Sequence, residues 1–273
     1  MALKLMYITN QTEVAQIAQA CGVDRIFVDM EYIGKKDRQG GMDTVQSFHT
    51  VEDIRRLRSV VDTAELLVRC NPIHEAGDVY SDSETEIREV IEAGADIIML
   101  PYFKTVEEVE QFLQIVNGRT KTMLLVETAE AVSCIDEILE LPGIDEVYIG
   151  LNDLSLGMKR KFMFELLADG TVEQLALKFR QAGYPFGFGG IASLGKGMLP
   201  AEYIIREHYR MQSSSVILSR SFLNTSLITD IEEIRRTFEE EVQKLRQYEK
   251  EVEVHADYFW DNYKQIKTII KGI

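Results

Sequence analysis

The chain has 273 residues, of which 45% are hydrophobic and only 5 are proline, so we expect a globular chain and not a disordered one. This length suits one large α/β barrel or two small domains. The 30 Lys and Arg against 45 Asp and Glu give a net charge of −15 at pH 7, with no long basic stripe. We therefore expect neither nucleic acid nor an anionic membrane as a partner.

The cysteines and the first residues bear on the compartment. Cys21, Cys70 and Cys134 are odd in number, widely spaced and without a CxxC pattern, which is typical of reduced thiols in a cytoplasmic protein. The opening MALKLMYITN has too short an apolar run for a signal peptide. No segment reaches the roughly 18 apolar residues of a membrane span. The expectation is a soluble, cytoplasmic protein with no membrane association.

A short pattern recurs along the chain: CGVDRIFVD at 21–29, AGADIIMLP at 93–101 and PGIDEVYIG at 142–150. Each copy has a glycine placed to end a helix, then an Asp, then an apolar strand. The stretch AGYPFGFGG at 182–190 is a degenerate fourth copy. The repetition indicates one strand–helix unit that is used several times.

The predicted elements alternate between strand and helix. Strands are predicted at 3–8, 25–29, 65–70, 96–100, 123–126, 147–149, 185–188 and 215–218. Helices are predicted at 12–20, 51–61, 84–92, 106–116, 129–141, 172–181 and 200–209, with a helical remainder. Eight alternations in about 225 residues predict an α/β fold, a (β/α)8 TIM barrel with its functional groups at the carboxyl ends of the strands. The second possibility, a doubly wound sheet, would be favoured by a Gly-rich turn after strand 1, and YITNQTE has none.

Two carboxylates follow neighbouring predicted strands. Glu127 comes directly after the strand at 123–126, and Asp153 follows the strand at 147–149. Parallel strands joined by one helix are usually neighbours, so we expect the two carboxylates side by side at one rim. Two hard oxygen ligands with room for water and substrate suit Mg²⁺ or Mn²⁺. The alternative is that Glu127 caps the following helix and that Asp153 makes an Asx turn.

Other polar residues also fall at predicted strand ends. Arg69 ends strand 3, and a guanidinium beside two metal-binding carboxylates can bind a substrate carboxylate or polarise an oxygen. Alternatively, Arg69 is a structural counter-ion to Asp29 or Glu31, which follow strand 2. Further rim candidates are Tyr32 after strand 2, His74 after strand 3, Gly189 and Gly190 after strand 7, and Arg220 after strand 8, for which a surface or interface role is equally open.

Four motifs, in this order and spacing, resemble the HpcH/HpaI aldolase and citrate lyase β-subunit family, a branch of the phosphoenolpyruvate/pyruvate barrels. They are VRCNP, IIMLPYFKTVEEVEQF, VETAEAV and GIDEVYIGLNDLSLG, and the resemblance covers roughly residues 20–225. It implies a TIM barrel that binds Mg²⁺ or Mn²⁺ through Glu127 and Asp153. It also implies that Arg69 stabilises the enolate oxygen of a bound pyruvate-like group. The segment DMEYIGKKDRQ resembles the citrate-lyase-like form of the loop after strand 2, with Asp29, Glu31, Lys36 and Arg38.

The chain departs from this family at one position. Aldolase-type members carry a catalytic His one residue after the Glu of that loop, where this chain has Tyr32. The predicted catalytic residues are therefore Arg69 and Tyr32, and the predicted substrate-binding residues are Arg69, Asn152, Asp153, Asp29 and Glu31. Of the four histidines, His49, His74, His208 and His255, none is an obvious replacement, although His74 is placed to reach the rim.

The resemblance implies a divalent-metal-dependent carbon–carbon lyase of the aldolase type. Its partner would be a small α-keto acid or acyl substrate, which reacts through a pyruvate-like enolate. Two alternatives stay open: a citrate-lyase-like enzyme on a CoA thioester, and a catalytically silent barrel that binds metal or ligand. The missing His favours the silent barrel, whereas Glu127, Asp153 and Arg69 favour turnover.

From Thr229 the chain is one long helical tract. Its apolar stripe consists of Ile231, Ile234, Phe238, Val242 and Leu245, and an aromatic segment follows with Tyr258, Phe259, Trp260 and Tyr263. We divide the chain into a barrel at 1–228 and a C-terminal helical extension at 229–273. The extension is interpreted either as the eighth barrel helix with added packing or as an oligomer contact. The family resemblance implies helices exchanged between subunits, and hence a homo-oligomer, either a trimer or a hexamer.

Overall fold

A computed structural model describes residues 2–35, 47–225, 227–254 and 258–273. Eight parallel strands close into a barrel in the order in which they occur along the chain. They are β1 (Lys4–Ile8), β2 (Arg25–Asp29), β3 (Glu65–Arg69), β4 (Ile97–Leu100), β5 (Lys121–Val126), β6 (Glu146–Ile149), β7 (Phe186–Ile191) and β8 (Ser215–Leu218). The last strand closes the barrel on the first, where Leu5 lies beside Val216. The predicted TIM barrel is confirmed.

Helices surround the barrel. Within the described residues they are α1 (Thr12–Ala20), α2 (Val51–Arg58), α3 (Ser83–Glu92), α4 (Val106–Val116), α5 (Ala129–Ser133), α6 (Ile135–Leu139), α7 (Leu151–Gly157), α8 (Glu165–Ala168), α9 (Thr171–Ala182), α10 (Ala201–Met211), α11 (Ile231–Val254) and α12 (Phe259–Lys271). The single helix expected at 129–141 is divided into α5 and α6 at Cys134, whose backbone leaves the helical region. Two short helices, α7 and α8, were not predicted, because each is too short to show a helical repeat in the sequence.

The seventh strand is longer than predicted. It continues through Gly189 and Gly190 to Ile191, so these two glycines lie within β7 and not after it. The pairing between β7 and β8 shifts register between Gly187 and Gly190, and Gly189 adopts a left-handed φ of +58°. An irregular strand built from glycines has no alternation of side chains to reveal it.

The barrel interior is filled by side chains from six of the strands, β1 to β6. Met6, Phe27, Leu67, Ile97, Met99, Met123, Leu125 and Tyr148 form one buried cluster there. The Tyr148 hydroxyl donates to the Gly189 carbonyl at 2.6 Å and accepts from the Ile217 N–H at 3.0 Å. A Cβ at Gly187 would lie 2.4 Å from the Tyr148 ring, so this glycine makes the room that the ring occupies. The interior is therefore a packed core and not a pore.

The long helix α11 is packed on the barrel. Its apolar stripe, apart from the half-buried Ile231, is buried against α1 and the end of β1, where the Phe238 ring meets the Tyr7 ring edge-on at 4.9 Å. The Leu3 N–H donates to the Glu249 carboxylate at 2.8 Å. Tyr258 and Trp260 remain exposed beside and within α12, which packs on α8 and α10. Homo-oligomer formation through residues 229–273 stays a prediction. The exposed surface for such a contact is that of Tyr258 and Trp260, because the apolar stripe of α11 packs on the barrel. In the part of the chain that the structure describes, no helix is long and apolar enough to span a membrane.

A network of ion pairs around Arg25 closes the amino-terminal end of the barrel. The fully buried Arg25 donates to both carboxylate oxygens of Glu146, at 2.9 and 2.5 Å, and to Glu65 at 2.9 Å. Burial by itself would lower the pKa of Arg25, but the two carboxylates outweigh this effect and raise it. Lys121 also donates to Glu65, at 2.7 Å. The buried charges of this network are compensated as long as all of its residues are present.

We expect Arg25→Met to lower the free energy of unfolding by about 3–5 kcal/mol, because the buried Glu146 loses both of its hydrogen bonds from Arg25. Urea unfolding measures this loss. The double variant Arg25→Met/Glu146→Leu should recover part of it, since both buried charges are then removed. As a control, Arg55→Met deletes an exposed partner of Glu52 and should cost about 1 kcal/mol or less. An Arg25→Met protein as stable as this control would contradict the prediction.

Candidate active site

The carboxyl ends of β2 and β3 carry four charged side chains, which we call the charge cluster: Asp29, Glu31, Lys35 and Arg69. Asp29 and Arg69 are partners in the strand register. Arg69 donates from Nε to Asp29 Oδ1 and from Nη2 to Asp29 Oδ2, both at 2.8 Å, and its Nη1 lies 3.3 Å from Glu31 Oε2. The Lys35 ammonium lies 3.0 Å from Asp29 Oδ2 and 3.3 Å from Glu31 Oε2. Each carboxylate therefore contacts both cations.

The charge cluster holds Asp29 and Arg69 in their ionised forms. Burial would raise the pKa of Asp29, but the charges and hydrogen bonds of Arg69 and Lys35 outweigh it and hold this pKa well below its usual range. Burial would lower the pKa of Arg69, but Asp29, Glu31 and also Glu127 keep it well above its usual value. The structure thus shows Arg69 as a counter-ion of Asp29 and Glu31, which was one of the two interpretations from the sequence. This role is compatible with ligand binding, because the bonds to Asp29 and the contact with Glu31 engage three of the five N–H donors of Arg69.

His49 also contacts Asp29. The Asp29 N–H donates to His49 Nδ1 at 3.0 Å, so this nitrogen is an acceptor and carries no proton. Burial lowers the pKa of His49 more than the nearby carboxylates of Asp29 and Asp53 raise it. A neutral imidazole therefore lies against the backbone of the charge cluster. Lys36 and Arg38, named from the resemblance, lie outside the described residues.

The start of the segment after β2 is held by an asparagine from the neighbouring strand end. The N–H groups of Tyr32 and Ile33 both donate to Asn71 Oδ1, at 2.9 and 3.0 Å. The Asn71 side chain in turn donates to the buried Glu86 at 3.1 Å. This chain of bonds fixes the backbone at Tyr32 relative to β3.

Glu127 follows β5 at the same rim and is nearly fully buried. Its Oε1 accepts the Tyr102 N–H at 3.0 Å, and Tyr102 adopts a left-handed φ of +50° to present that group. On the other side, a Cβ at Gly150 would lie 2.6 Å from Glu127 Oε2. The cap of the following helix is Thr128, whose hydroxyl accepts the Ala131 N–H at 3.0 Å. Glu127 is therefore not the helix cap of the alternative interpretation.

Asp153 comes to the same rim through α7. Val126 and Ile149 are partners in the β5–β6 register, so Glu127 and Gly150 stand at the same height. The helix α7 begins at the next residue, with Asp153 buried in its first turn. Asp153 is thus helical and not in an isolated Asx turn. Asn152, half-buried beside it, accepts the Ser155 hydroxyl at its backbone carbonyl at 2.7 Å.

The two residues considered as the missing base are poorly suited to it. Tyr32 is 41% exposed at the rim, and burial together with nearby Glu86 and Tyr80 raises the pKa of its hydroxyl. That shift is opposite to the one a base at neutral pH requires. Both ring nitrogens of His74 lie against backbone carbonyls, Nδ1 at 2.6 Å from Pro72 and Nε2 at 2.8 Å from Ser81. His74 therefore braces the loop after β3.

His208, Arg220, His255 and the cysteines are the remaining residues that the sequence brought into consideration. His208 is buried in α10, stacked on Phe188 at 3.8 Å, and burial lowers its pKa to about 3. Arg220 is exposed in the turn after β8, and His255 lies outside the described residues. The cysteines Cys21, Cys70 and Cys134 are free thiols, as predicted.

Four residues that contact the rim carboxylates or their backbone were not predicted from the sequence: Lys35, His49, Tyr102 and Gly150. Gly150 ends the third copy of the recurring pattern, and this signal could have marked it as a site glycine. Lys35 lies in the polar stretch after β2, where the resemblance pointed to Lys36 instead. Tyr102 acts through its backbone, which leaves no signal in the residue type.

The fold and the rim define the chain as a closed (β/α)8 barrel with buried carboxylates and an arginine at the carboxyl ends of its strands. The sequence matches the HpcH/HpaI aldolase/citrate lyase family over residues 4–184, so the chain belongs to this family. Comparison with curated protein sequences gives no significant match. The class of activity that family membership supports is that of aldolases and lyases.

Solved structures share the fold at low sequence identity. An HpcH/HpaI aldolase from Desulfitobacterium hafniense is 17% identical, with a TM-score of 0.61, over 85% of this chain and 93% of that one. Citrate synthase SbnG is 15% identical, with a TM-score of 0.61, over 86% and 94%. Macrophomate synthase is 14% identical, with a TM-score of 0.59, over 86% and 84%. These likenesses show a common fold.

The depressed pKa of Asp29 makes stability depend on pH. The contribution of ionised Asp29 is complete above the unfolded pKa of about 3.9 and falls by roughly 1.4 kcal/mol per pH unit below it. We therefore expect Asp29→Asn to be strongly destabilising at pH 7 and less so at pH 3.5, as measured by urea unfolding. Asp136→Asn, at an exposed partner of Lys178, is the control and should cost little at either pH. A cost of Asp29→Asn that does not shrink on acidification would contradict the assignment.

Proposed function

We propose that the chain is a divalent-metal-dependent carbon–carbon lyase of the aldolase type, acting on a small α-keto acid through a pyruvate-like enolate. The observation that carries this proposal is the buried Glu127, oriented by Tyr102 and Gly150, at the rim that also holds Asp153 and Arg69. Membership of the HpcH/HpaI aldolase/citrate lyase family supports the class of reaction. The named solved structures, an aldolase, a citrate synthase and macrophomate synthase, are consistent with it.

The residues present fit a divalent cation. Glu127 and Asp153 are hard oxygen donors, both buried, and the missing side chain of Gly150 allows the Glu127 carboxylate to approach the backbone closely there. Among the described residues no group of three or more His, Cys, Asp and Glu is placed to hold a metal ion. Two protein carboxylates would leave coordination positions to water and to a chelating ligand. Bound Mg²⁺ or Mn²⁺ would supply Lewis-acid stabilisation of the developing negative charge.

Arg69 supplies the second stabilising charge. Its guanidinium is fixed by the two hydrogen bonds to Asp29 and needs no reorientation when a ligand arrives. A preorganised donor aimed at a developing oxyanion is worth about 3 kcal/mol in other enzymes. Arg69 is therefore assigned to the oxygen that becomes negative when the carbon–carbon bond breaks.

The weak point of an aldolase assignment is the proton acceptor. Retro-aldol cleavage needs a base for the substrate hydroxyl, and the raised pKa of Tyr32 makes this residue a poor one. Decarboxylation of a β-keto acid such as oxaloacetate needs stabilisation of the enolate but no such base. The same observation favours a second candidate function, a barrel that binds metal and ligand without turnover. A citrate-lyase-like reaction on a CoA thioester is the remaining alternative.

We expect Gly150→Ala to weaken Mn²⁺ binding by about 10–100-fold, the range seen when groups that orient metal ligands are lost. The reason is steric, since the new Cβ would displace the Glu127 carboxylate. Isothermal titration calorimetry measures the affinity. Gly157→Ala is the matched control, because its Cβ would meet nothing closer than the Ala129 nitrogen at 3.7 Å. Equal Mn²⁺ affinity in Gly150→Ala and wild type would refute the metal site.

We expect the wild-type chain with Mn²⁺ to decarboxylate oxaloacetate faster than it cleaves simple 4-hydroxy-2-keto acids. Tyr32→His should raise the cleavage rate by about 10²-fold, the lower range for a general base, and leave decarboxylation nearly unchanged. Steady-state kinetics on both substrates gives the comparison. Tyr80→His replaces the ring beside Tyr32 by an imidazole and serves as the control, which should not raise the cleavage rate to the same extent.

Two outcomes would change the assignment. If wild type cleaves aldols as fast as it decarboxylates oxaloacetate, another residue is the base. If it does neither with any divalent metal but still binds Mn²⁺, the binding-protein function replaces the lyase.

A further inference from the structure

Lys35 is a buried cation that the proposed chemistry does not use. Its side chain is about as buried as a core residue, with 4% of the residue exposed, and its ammonium lies at 3.0 and 3.3 Å from two carboxylates. Lysine is rarely buried unless it is paired, and its long side chain loses much conformational freedom when it is fixed. A residue held in this way at a ligand rim calls for an explanation beyond packing.

The contacts of Lys35 duplicate those of Arg69. Asp29 Oδ2 accepts Arg69 Nη2 at 2.8 Å and Lys35 Nζ at 3.0 Å. Glu31 Oε2 lies 3.3 Å from Arg69 Nη1 and also 3.3 Å from Lys35 Nζ. The two cations thus share the same two carboxylate oxygens. Without Lys35, both oxygens would have Arg69 as their one cationic partner within the charge cluster.

The balance of charge at the rim depends on this sharing. Asp29, Glu31, Glu127 and Asp153 are four buried carboxyl groups around the carboxyl ends of β2, β5 and β6. Without Lys35, Arg69 would be the one cation of the charge cluster, and an anionic ligand would meet a more negative potential in a partly desolvated site. Lys35 neutralises one further charge directly beside Arg69.

We propose that Lys35 is a positioning residue for the anionic ligand. It offsets one of the two negative charges of Asp29 and Glu31, so that the charge of Arg69 acts on a ligand carboxylate or enolate oxygen instead of being offset by the two carboxylates. This inference rests on the proposed function, in which the ligand is an α-keto acid bound near Glu127 and Asp153. Lys35 acts through Arg69 and is not assigned a contact with the reacting atoms.

Loss of Lys35 should affect the binding of an anionic ligand and the binding of a divalent cation differently. Loss of a cation weakens the binding of an anion, but it cannot weaken the binding of a divalent cation by charge. A purely structural lysine behaves differently, because its loss would loosen the rim and weaken both. The ratio of the two effects therefore separates positioning from structure.

The experiment uses Lys35→Met in the full chain, with Mn²⁺ alone and then oxalate at saturating Mn²⁺ as probes, both followed by calorimetry. Oxalate is a planar dianion with the shape of the pyruvate enolate. We expect its Kd to rise by about tenfold, equivalent to about 1.4 kcal/mol. The Kd of Mn²⁺ should stay equal or fall. Lys244→Met, which removes an exposed partner of Glu241, is the control and should change neither constant.

Two further variants keep the test informative if Lys35→Met is unstable. Lys35→Arg preserves the charge and should retain oxalate binding. Lys35→Met/Glu31→Gln removes one charge of each sign and should recover much of the lost oxalate affinity, since the balance around Arg69 is restored.

The results divide cleanly between the two proposals. An unchanged oxalate Kd in Lys35→Met, or a parallel loss of Mn²⁺ and oxalate binding, overturns the role of Lys35 and leaves the proposed function intact. A wild-type chain that binds neither Mn²⁺ nor oxalate refutes the proposed function, and with it the role of Lys35 toward that ligand.

Discussion

The hydrogen-bonded ion pair between Asp29 and Arg69 is the interaction on which the rim depends. The two residues are register partners at the ends of adjacent strands, so their separation is set by the barrel itself. The Asp29 carboxylate also accepts a hydrogen bond from the Lys35 ammonium, and the Asp29 backbone N–H donates to His49 Nδ1. Because Asp29 is buried, these partners must stay in place or leave an uncompensated charge in a desolvated site. The arrangement explains how the barrel fixes the orientation of Arg69.

The same strand carries a second buried charge at its other end. β2 begins with Arg25, which closes the amino-terminal end of the barrel with Glu146 and Glu65, and it ends with Asp29 at the rim. In TIM barrels the amino-terminal face serves stability and the carboxyl-terminal face serves chemistry. Between them lies a packed interior that includes Phe27, over which the Arg69 guanidinium lies at 5.6 Å. One five-residue strand therefore couples the stabilising and the functional ends of the molecule.

The sequence was sufficient to predict features that repeat locally. A glycine, an Asp and an apolar strand recurred often enough to predict the barrel, and Glu127 and Asp153 followed from their positions after strands. The charge cluster was predicted only in part, since Asp29, Glu31 and Arg69 were named and Lys35 was not. A lysine in a polar stretch is expected to be solvated unless its partners are known. Lys35 contacts Asp29 and Glu31 because the backbone turns after β2. The glycine-rich end of β7 and the short helix α7 were missed because neither has a periodic pattern.

The residues that local rules describe poorly are concentrated around Glu127 and Arg69. Tyr102 holds a left-handed backbone conformation that a non-glycine residue adopts at a cost of order 1 kcal/mol, and it delivers its N–H to Glu127. Gly150 occupies a position where a side chain would collide with the same carboxylate. Lys35 is buried, although lysine is usually exposed. Each feature is unfavourable alone, and each is compensated by a contact with a charged rim residue. Their concentration at the ends of β2, β4 and β6 supports this rim as the place where the barrel acts on its ligand.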